Sequence, residues 1–89
     1  MKWVIQMNLN KIHYFFKLAE YKNFTQAAAA CNIGQTTMSK YITSLEQELQ
    51  VQLFVRNRKT VKLTKQGEEF YEGMKKIYDS YETLRRNIE

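Results

Sequence analysis

Between Gly34 and Leu49 the chain reads GQTTMSKYITSLEQEL, and this stretch limits the fold more than any other. Met38, Ile42, Leu45 and Leu49 recur at spacings of four, three and four. On a period of about 3.6 residues they share one face, as in a helix packed on a core. The opposite face carries Gln35, Thr36, Ser39, Lys40 and Thr43, with no acid until Glu46 and Glu48. A helix that needed only solubility would more often carry mixed charges at those places. Amide, hydroxyl and ammonium groups at a helix N-terminus match base edges and phosphates, so the stretch is a candidate reader of nucleic acid.

The residues before it supply a brace. Leu9, Ile12, Phe15 or Phe16, and Ala19 recur at helical spacing, so a first helix capped by Asn8 or Asn10 is expected to run to about Lys22. That stripe is core. His13 lies off it, with no second His and no Cys at metal-binding spacing, and reads as a surface or boundary residue. Lys22-Asn23-Phe24 breaks the pattern, and Thr25 is placed to cap a short helix from Gln26 to about Cys31. The run Ala27-Ala28-Ala29-Ala30 combines high helix propensity with side chains small enough for another helix to cross closely. Asn32-Ile33-Gly34 then turns the chain into the polar-fronted helix. Short helix, tight turn and polar-fronted helix is the plan of a helix-turn-helix; an ordinary helical hairpin is the plainer alternative.

After Leu49 the period changes to two. Val51, Leu53 and Val55 alternate with Gln52 and Phe54, and Thr60 to Leu63 alternates again, so a β-hairpin is expected with Asn57-Arg58-Lys59 at its tip. Arg56, Arg58, Lys59, Lys62 and Lys65 have no acid among them in the sequence, which favours phosphate or minor-groove contact over a merely solvated tip. Thr64 is placed to cap a final helix reaching Ile88. Its apolar positions Phe70, Met74, Ile77, Tyr81, Leu84 and Ile88 form a heptad seam, widened on one side by Tyr71 and Tyr78. Three short helices cannot cover an apolar edge that long, so the seam is expected to pack against the same helix of a second copy.

Charge narrows the partner further. The chain has 89 residues, 14 Lys plus Arg against 9 acids, and a formal net charge of +5. The excess sits between Gly34 and Gln66, where six basic residues face two acids, whereas Gly67 to Glu89 is net −2. A protein lying on a membrane surface has no need of that partition, but a domain that turns one face to DNA does. A hydrophobic content of 44% excludes a chain that is wholly disordered. With Cys31 alone no internal disulfide can form, and a reducing, cytoplasmic setting is expected. Apolar stretches are interrupted well short of the ~20 residues of a membrane span, and MKWVIQ lacks the apolar region of a signal peptide. Residues 1–6 are given no role. One His, one Cys, no Gly-rich phosphate loop and no acid pair beside a base assemble no nucleophile, general base or metal set, so no catalytic residue, metal or cofactor is expected.

Phe15, the run Asn23-Phe24-Thr25-Gln26-Ala27-Ala28, Gln35 to Ser39, Leu45-Glu46, Leu53-Phe54-Val55-Arg56 and Leu63-Thr64-Lys65-Gln66-Gly67 follow one another in an order and spacing that resembles a known pattern. It is that of the amino-terminal DNA-binding domain of LysR-type transcriptional regulators, and the long helix is similar to that family's linker helix. The resemblance implies a mostly α fold with a small β-hairpin. A winged helix-turn-helix over 7–66 would be followed by a linker and dimerisation helix over 67–89. It implies a bacterial regulator that binds an approximately palindromic site on double-stranded DNA as a homodimer, with a tetramer open to a full-length protein. On that resemblance Thr25, Gln35, Thr36, Thr37, Ser39, Lys40 and Thr43 lie where base and phosphate contacts are made, and Arg56, Arg58 and Lys59 lie on the wing. Phe70, Met74, Ile77, Tyr78, Tyr81, Leu84 and Ile88 would form the dimer interface. An effector domain normally follows the linker helix, so no small-molecule pocket is expected within these residues.

The chain departs from the family pattern at four places. Gly34 replaces the usual capping Ser, Thr36 a Pro, Cys31 a Leu, and Gln50 the Gly after the recognition helix. If that last site has positive φ, Gln50 costs about 1 kcal/mol. A winged-helix interaction module that does not bind specific DNA is the alternative function. RNA binding is weaker still, since the aromatic residues fall on core or seam positions rather than on a stacking platform.

Overall fold

The computed structural model describes residues 9–57 and 60–88. The elements run α1 (Leu9–Tyr21), α2 (Phe24–Ala30), α3 (Gln35–Leu49), β1 (Phe54–Arg56), β2 (Val61–Leu63) and α4 (Lys65–Ile88). Asn8 and residues 1–6, to which the sequence assigned a possible cap and no role respectively, lie outside the described residues, as do Arg58 and Lys59.

Local backbone devices set the helix boundaries. Lys22 adopts φ 57° after α1, and Asn23 then returns to extended backbone with φ −157°. The Asn23 side-chain oxygen accepts from Gln26 N–H at 2.9 Å, so Asn23 and not Thr25 caps α2. Thr25 falls within the first turn, because the sharp bend at Lys22 brings Asn23, the better capping residue, into place two positions earlier. Asn32, also at φ 57°, ends the short helix while Ile33 N–H reaches back to the Ala28 carbonyl at 3.0 Å. Gly34 leads into α3 without a side-chain cap. Gln50 closes α3 in the left-handed region at φ 56° and ψ 35°, where the sequence expected a strain cost if φ were positive.

The core forms where these helices cross. Ile12, Phe15 and Leu18 of α1 meet Ala27 and Ala28 of α2, Met38, Ile42 and Leu45 of α3, and Leu53, Phe54 and Val61 from the hairpin region. Leu18 joins the buried face although the spacing argument did not name it. The small side chains at Ala27 and Ala28 permit the close crossing that their run predicted. Phe15 stands at the centre, with ring centroids 5.4 Å from Phe54 and 5.0 Å from Phe70. Phe16 continues the aromatic row onto α4, edge-on to Tyr71 at 5.3 Å and Tyr78 at 5.6 Å. Rows of rings in tilted and edge-to-face contact add about 0.5–1.5 kcal/mol per pair beyond their burial.

Three apolar residues depart from their expected places. Leu49, read as the last core position of α3, is exposed because the helix ends there and the chain turns away at Gln50. Val51 and Val55 are exposed while Leu53 and Phe54 are both buried, so the alternation across 51–55 does not describe one strand. The strand begins only at Phe54; Leu53 enters the core from the irregular segment before it. In the hairpin Phe54 pairs with Leu63, Val55 with Lys62 and Arg56 with Val61.

Backbone hydrogen bonds then lock the hairpin to the helices. Val61 N–H donates to the Lys22 carbonyl at 3.1 Å, and Thr64 N–H to the Leu53 carbonyl at 2.9 Å. Thr64 caps α4 as expected, its hydroxyl oxygen accepting from Gly67 N–H at 2.9 Å. Gly67 is buried against the Leu53 backbone: a Cβ on it would lie 2.1 Å from that carbonyl oxygen. α4 passes without a break through the boundary expected at 66/67, and its first turns belong to the core, Met74 being only 8% exposed.

A glycine at position 50 would take the same backbone conformation without the Cβ clash. Gln50→Gly is expected to raise stability by about 1 kcal/mol, seen as a rise of about 4–8 °C in the midpoint of thermal unfolding by circular dichroism.

Candidate nucleic-acid interface

α3 presents its polar strip on an open face. Gln35, Thr36, Ser39, Lys40 and Thr43 line one shallow trough, which Ser44 and Gln47 extend along the helix. A second trough adjoins it, between the start of α2, the start of α3 and the hairpin, lined by Asn23, Phe24, Thr25, Arg56, Asn57 and Thr60. Gln35 and Ser39 belong to both, so the helix front and the hairpin form one continuous surface. The fold thus brings together Thr25, Gln35, Thr36, Ser39, Lys40, Thr43 and Arg56. Thr37 lies beside Lys11, Lys40, Tyr41 and Ser44, on a flank of α3 that meets the first trough at Lys40 and Ser44. Nothing is assigned to Arg58 and Lys59, which lie outside the described residues.

The surface is organised by hydrogen bonds that the sequence did not reveal. Glu46, read as an acid of the last turn, is nearly buried, with 14% of its side chain exposed. One carboxylate oxygen accepts from the backbone N–H of Leu53 at 2.8 Å and of Phe54 at 3.2 Å. The other lies 3.6 Å from the Arg56 guanidinium. Glu46 follows Ile42 by four residues and Leu45 by one, which places it beside the apolar face. An acid in that position needs a buried partner, and this was the available signal.

Arg56 is therefore not the unopposed cation that the wing sequence suggested. Its guanidinium also stands over the Phe24 ring, 5.0 Å from the centroid. An ion pair this exposed adds little stability, but with the ring it limits where the guanidinium can go. At the front of α3, the Thr25 hydroxyl donates to the side-chain oxygen of Gln35 at 3.1 Å. On the opposite flank the Lys11 ammonium donates to Ser44 Oγ at 2.8 Å and pairs with Glu48, clasping α1 to α3. Glu46 and Glu48 thereby spend their charge against Arg56 and Lys11, leaving Lys40 exposed at the centre of the polar face.

Cys31 stays outside the surface. Burial pushes its thiol above the usual value, opposed only in part by the charge of Lys17, so at neutral pH it is a protonated, weakly nucleophilic group. Among the described residues no group of three or more His, Cys, Asp and Glu could hold a metal ion, and no helix is long and apolar enough to cross a membrane.

α4 carries the other exposed feature. Phe70 and Met74, expected in a dimer seam, pack into the chain's own core, and Tyr78 is half-covered by Phe16. Ile77 is 60% exposed, Tyr81 49%, Leu84 60% and Ile88 77%. The uncovered part of the heptad is thus its second half.

A helix-turn-helix braced by α1, followed by a two-stranded wing and a long helix, defines a winged helix-turn-helix protein. The model of the bacterial regulatory helix-turn-helix protein, lysR family, matches residues 9–68, and the chain belongs to that family. It is 37% identical over 79 residues to a probable cat1 operon transcriptional activator of Acinetobacter lwoffii, covering 89% of this chain and 26% of that protein. It is 36% identical over 83 residues to the transcriptional regulator IlvY of Escherichia coli, covering 93% of this chain and 28% of that protein. The chain thus spans about a quarter of the length of these relatives. Its fold superposes with a TM-score of 0.82 on the BenM DBD in the crystal structure of its complex with catB site 1 DNA, at 35% identity, covering 88% of this chain and 84% of that one.

Replacing Glu46 by Ala leaves the Leu53 and Phe54 amides without their acceptor. Glu46→Ala is expected to cost about 2 kcal/mol in urea unfolding, and Glu46→Gln, which keeps a carbonyl oxygen, clearly less.

Proposed function

We propose that the chain is the DNA-binding module of a cytoplasmic transcriptional regulator, that it binds double-stranded DNA in a sequence-specific manner as a homodimer, and that it is not an enzyme. The observation that carries this reading is the continuous surface joining the front of α3 to the hairpin, lined by amides, hydroxyls, Lys40 and Arg56. α3 enters the major groove with Gln35, Thr36 and Ser39 toward base edges, while Lys40, Thr43 and Arg56 meet the backbone. The likeness to the BenM DBD, solved on DNA, and to relatives named as transcriptional regulators supports it.

The partition of labour follows from charge. One exposed lysine on α3 is too little to hold a polyanion, so affinity depends on the wing and on doubling the contacts. The exposed second half of the heptad, Ile77, Tyr81, Leu84 and Ile88, is where a second copy packs, and a two-fold pair of reading helices demands a pseudo-palindromic site. The proposed division is a reading head over 7–66 and a pairing helix over 67–89, with the first turns of that helix serving both.

Titration of a duplex carrying the regulator's own promoter site, at several salt concentrations, tests this. Affinity should fall steeply with salt, and a scrambled duplex should bind far more weakly. Gln35→Ala should relax base preference at a cost of about 1–3 kcal/mol, whereas Arg56→Ala should weaken binding to both duplexes and flatten the salt slope by about one. Equal binding of the two duplexes by the intact chain would remove specificity and leave a protein-interaction module. Leu84→Glu is expected to shift the chain toward monomer in sedimentation and to lower affinity for the two-fold site at least tenfold; unchanged sedimentation would exclude the second half of α4 as the contact.

A further inference from the structure

The Thr25–Gln35 hydrogen bond joins the two helices of the helix-turn-helix at the point where base reading begins. Gln35 is the first residue of α3, it is exposed, and it lies in both troughs of the surface. Its side-chain oxygen accepts from the Thr25 hydroxyl at 3.1 Å. A free glutamine presents either end of its carboxamide to a base, accepting with the oxygen or donating with the nitrogen, and its bidentate pairing with adenine uses both at once. Here the oxygen is turned toward α2. That bond engages only the oxygen, so the amide nitrogen, on the other branch of the same planar group, takes no part in it.

We propose that Thr25 is a positioning residue for specificity: it holds the Gln35 carboxamide with its donors outward, so that Gln35 reads hydrogen-bond acceptors and selects guanine over adenine at one position of each half-site. This rests on the DNA-binding function proposed above. The chemistry of the major groove sets the preference. Guanine offers two adjacent acceptors, N7 and O6, to an amide nitrogen, whereas adenine offers N7 beside the N6 amino donor. With the Gln35 oxygen engaged, that amino group meets a donor rather than an acceptor. Thymine, with its O4 acceptor, ranks second, and cytosine, with an amino donor, is disfavoured. Thr25 is suited to the task because Asn23, not Thr25, caps α2, so its hydroxyl is released for this contact.

The experiment selects bound duplexes from a randomised pool with the intact chain, Gln35→Ala, Thr25→Ser and Thr25→Val, after circular dichroism has shown that each variant is folded. Gln35→Ala identifies the position that Gln35 reads, as the one where preference is lost. At that position the wild type should select guanine, Thr25→Ser should keep the selection, and Thr25→Val, similar in shape but without a donor, should lower the guanine-to-adenine ratio roughly tenfold. Adenine selected by the wild type, or a guanine-to-adenine ratio that Thr25→Val leaves unchanged, overturns the proposal. So does a uniform loss of affinity for all duplexes in Thr25→Val, which would make Thr25 a phosphate contact only. If the wild type selects no sequence, or if Gln35→Ala changes no position, the DNA-reading function of α3 itself fails, a result distinct from those concerning Thr25.

Discussion

The Glu46 carboxylate is the joint on which the two halves of the surface depend. One oxygen holds the Leu53 and Phe54 amides, and so sets where the hairpin leaves α3; the other faces Arg56. α3 and the hairpin are thereby referred to one side chain. The main-chain bonds of Val61 and Thr64 lie on or after the second strand, so Glu46 adds a directional tie at the first. A single carboxylate, 14% exposed, therefore carries geometry that the hydrophobic core cannot supply, since burial is non-directional and the two amides are not.

Electrostatics are distributed in a way the charge count conceals. The net charge of +5 suggests an open basic face, yet Arg56 and Lys11 each have an acid of α3 beside them. What remains on the polar face of α3 is mostly neutral donors and acceptors. Such groups suit discrimination between bases but contribute little long-range attraction, so the proposed DNA binding would draw encounter and recognition from different residues.

Much of this was legible beforehand, and the exceptions share a cause. The helical period located α1, α3 and α4: the first two bury an apolar face against the core, and α4 keeps the same repeat although only its first turns are covered. The polar strip of α3 was visible as a run with no acid, and the paired troughs contain the residues it named. The hairpin was placed only approximately, since Val51, Leu53 and Val55 alternate in sequence while Leu53 and Phe54 both turn inward. Thr25 looked like a cap because a threonine before a helix usually is; the left-handed turn at Lys22 that promotes Asn23 leaves no periodic mark. Glu46, the Arg56–Phe24 contact and the Thr25–Gln35 bond connect residues 7 to 32 positions apart, and local patterns do not record such pairings.

Gly67 places α4 directly on the Leu53 carbonyl, with no side chain between the two backbones. Side chains yield by changing rotamer; main chains in contact do not. The junction therefore behaves as a stiff coupling: a roll or tilt of α4 about its axis cannot be absorbed there and must be passed to Leu53, to the hairpin that follows it, and through Glu46 to α3. Whatever sets the attitude of the long helix therefore bears on the angle at which the polar face of α3 is presented.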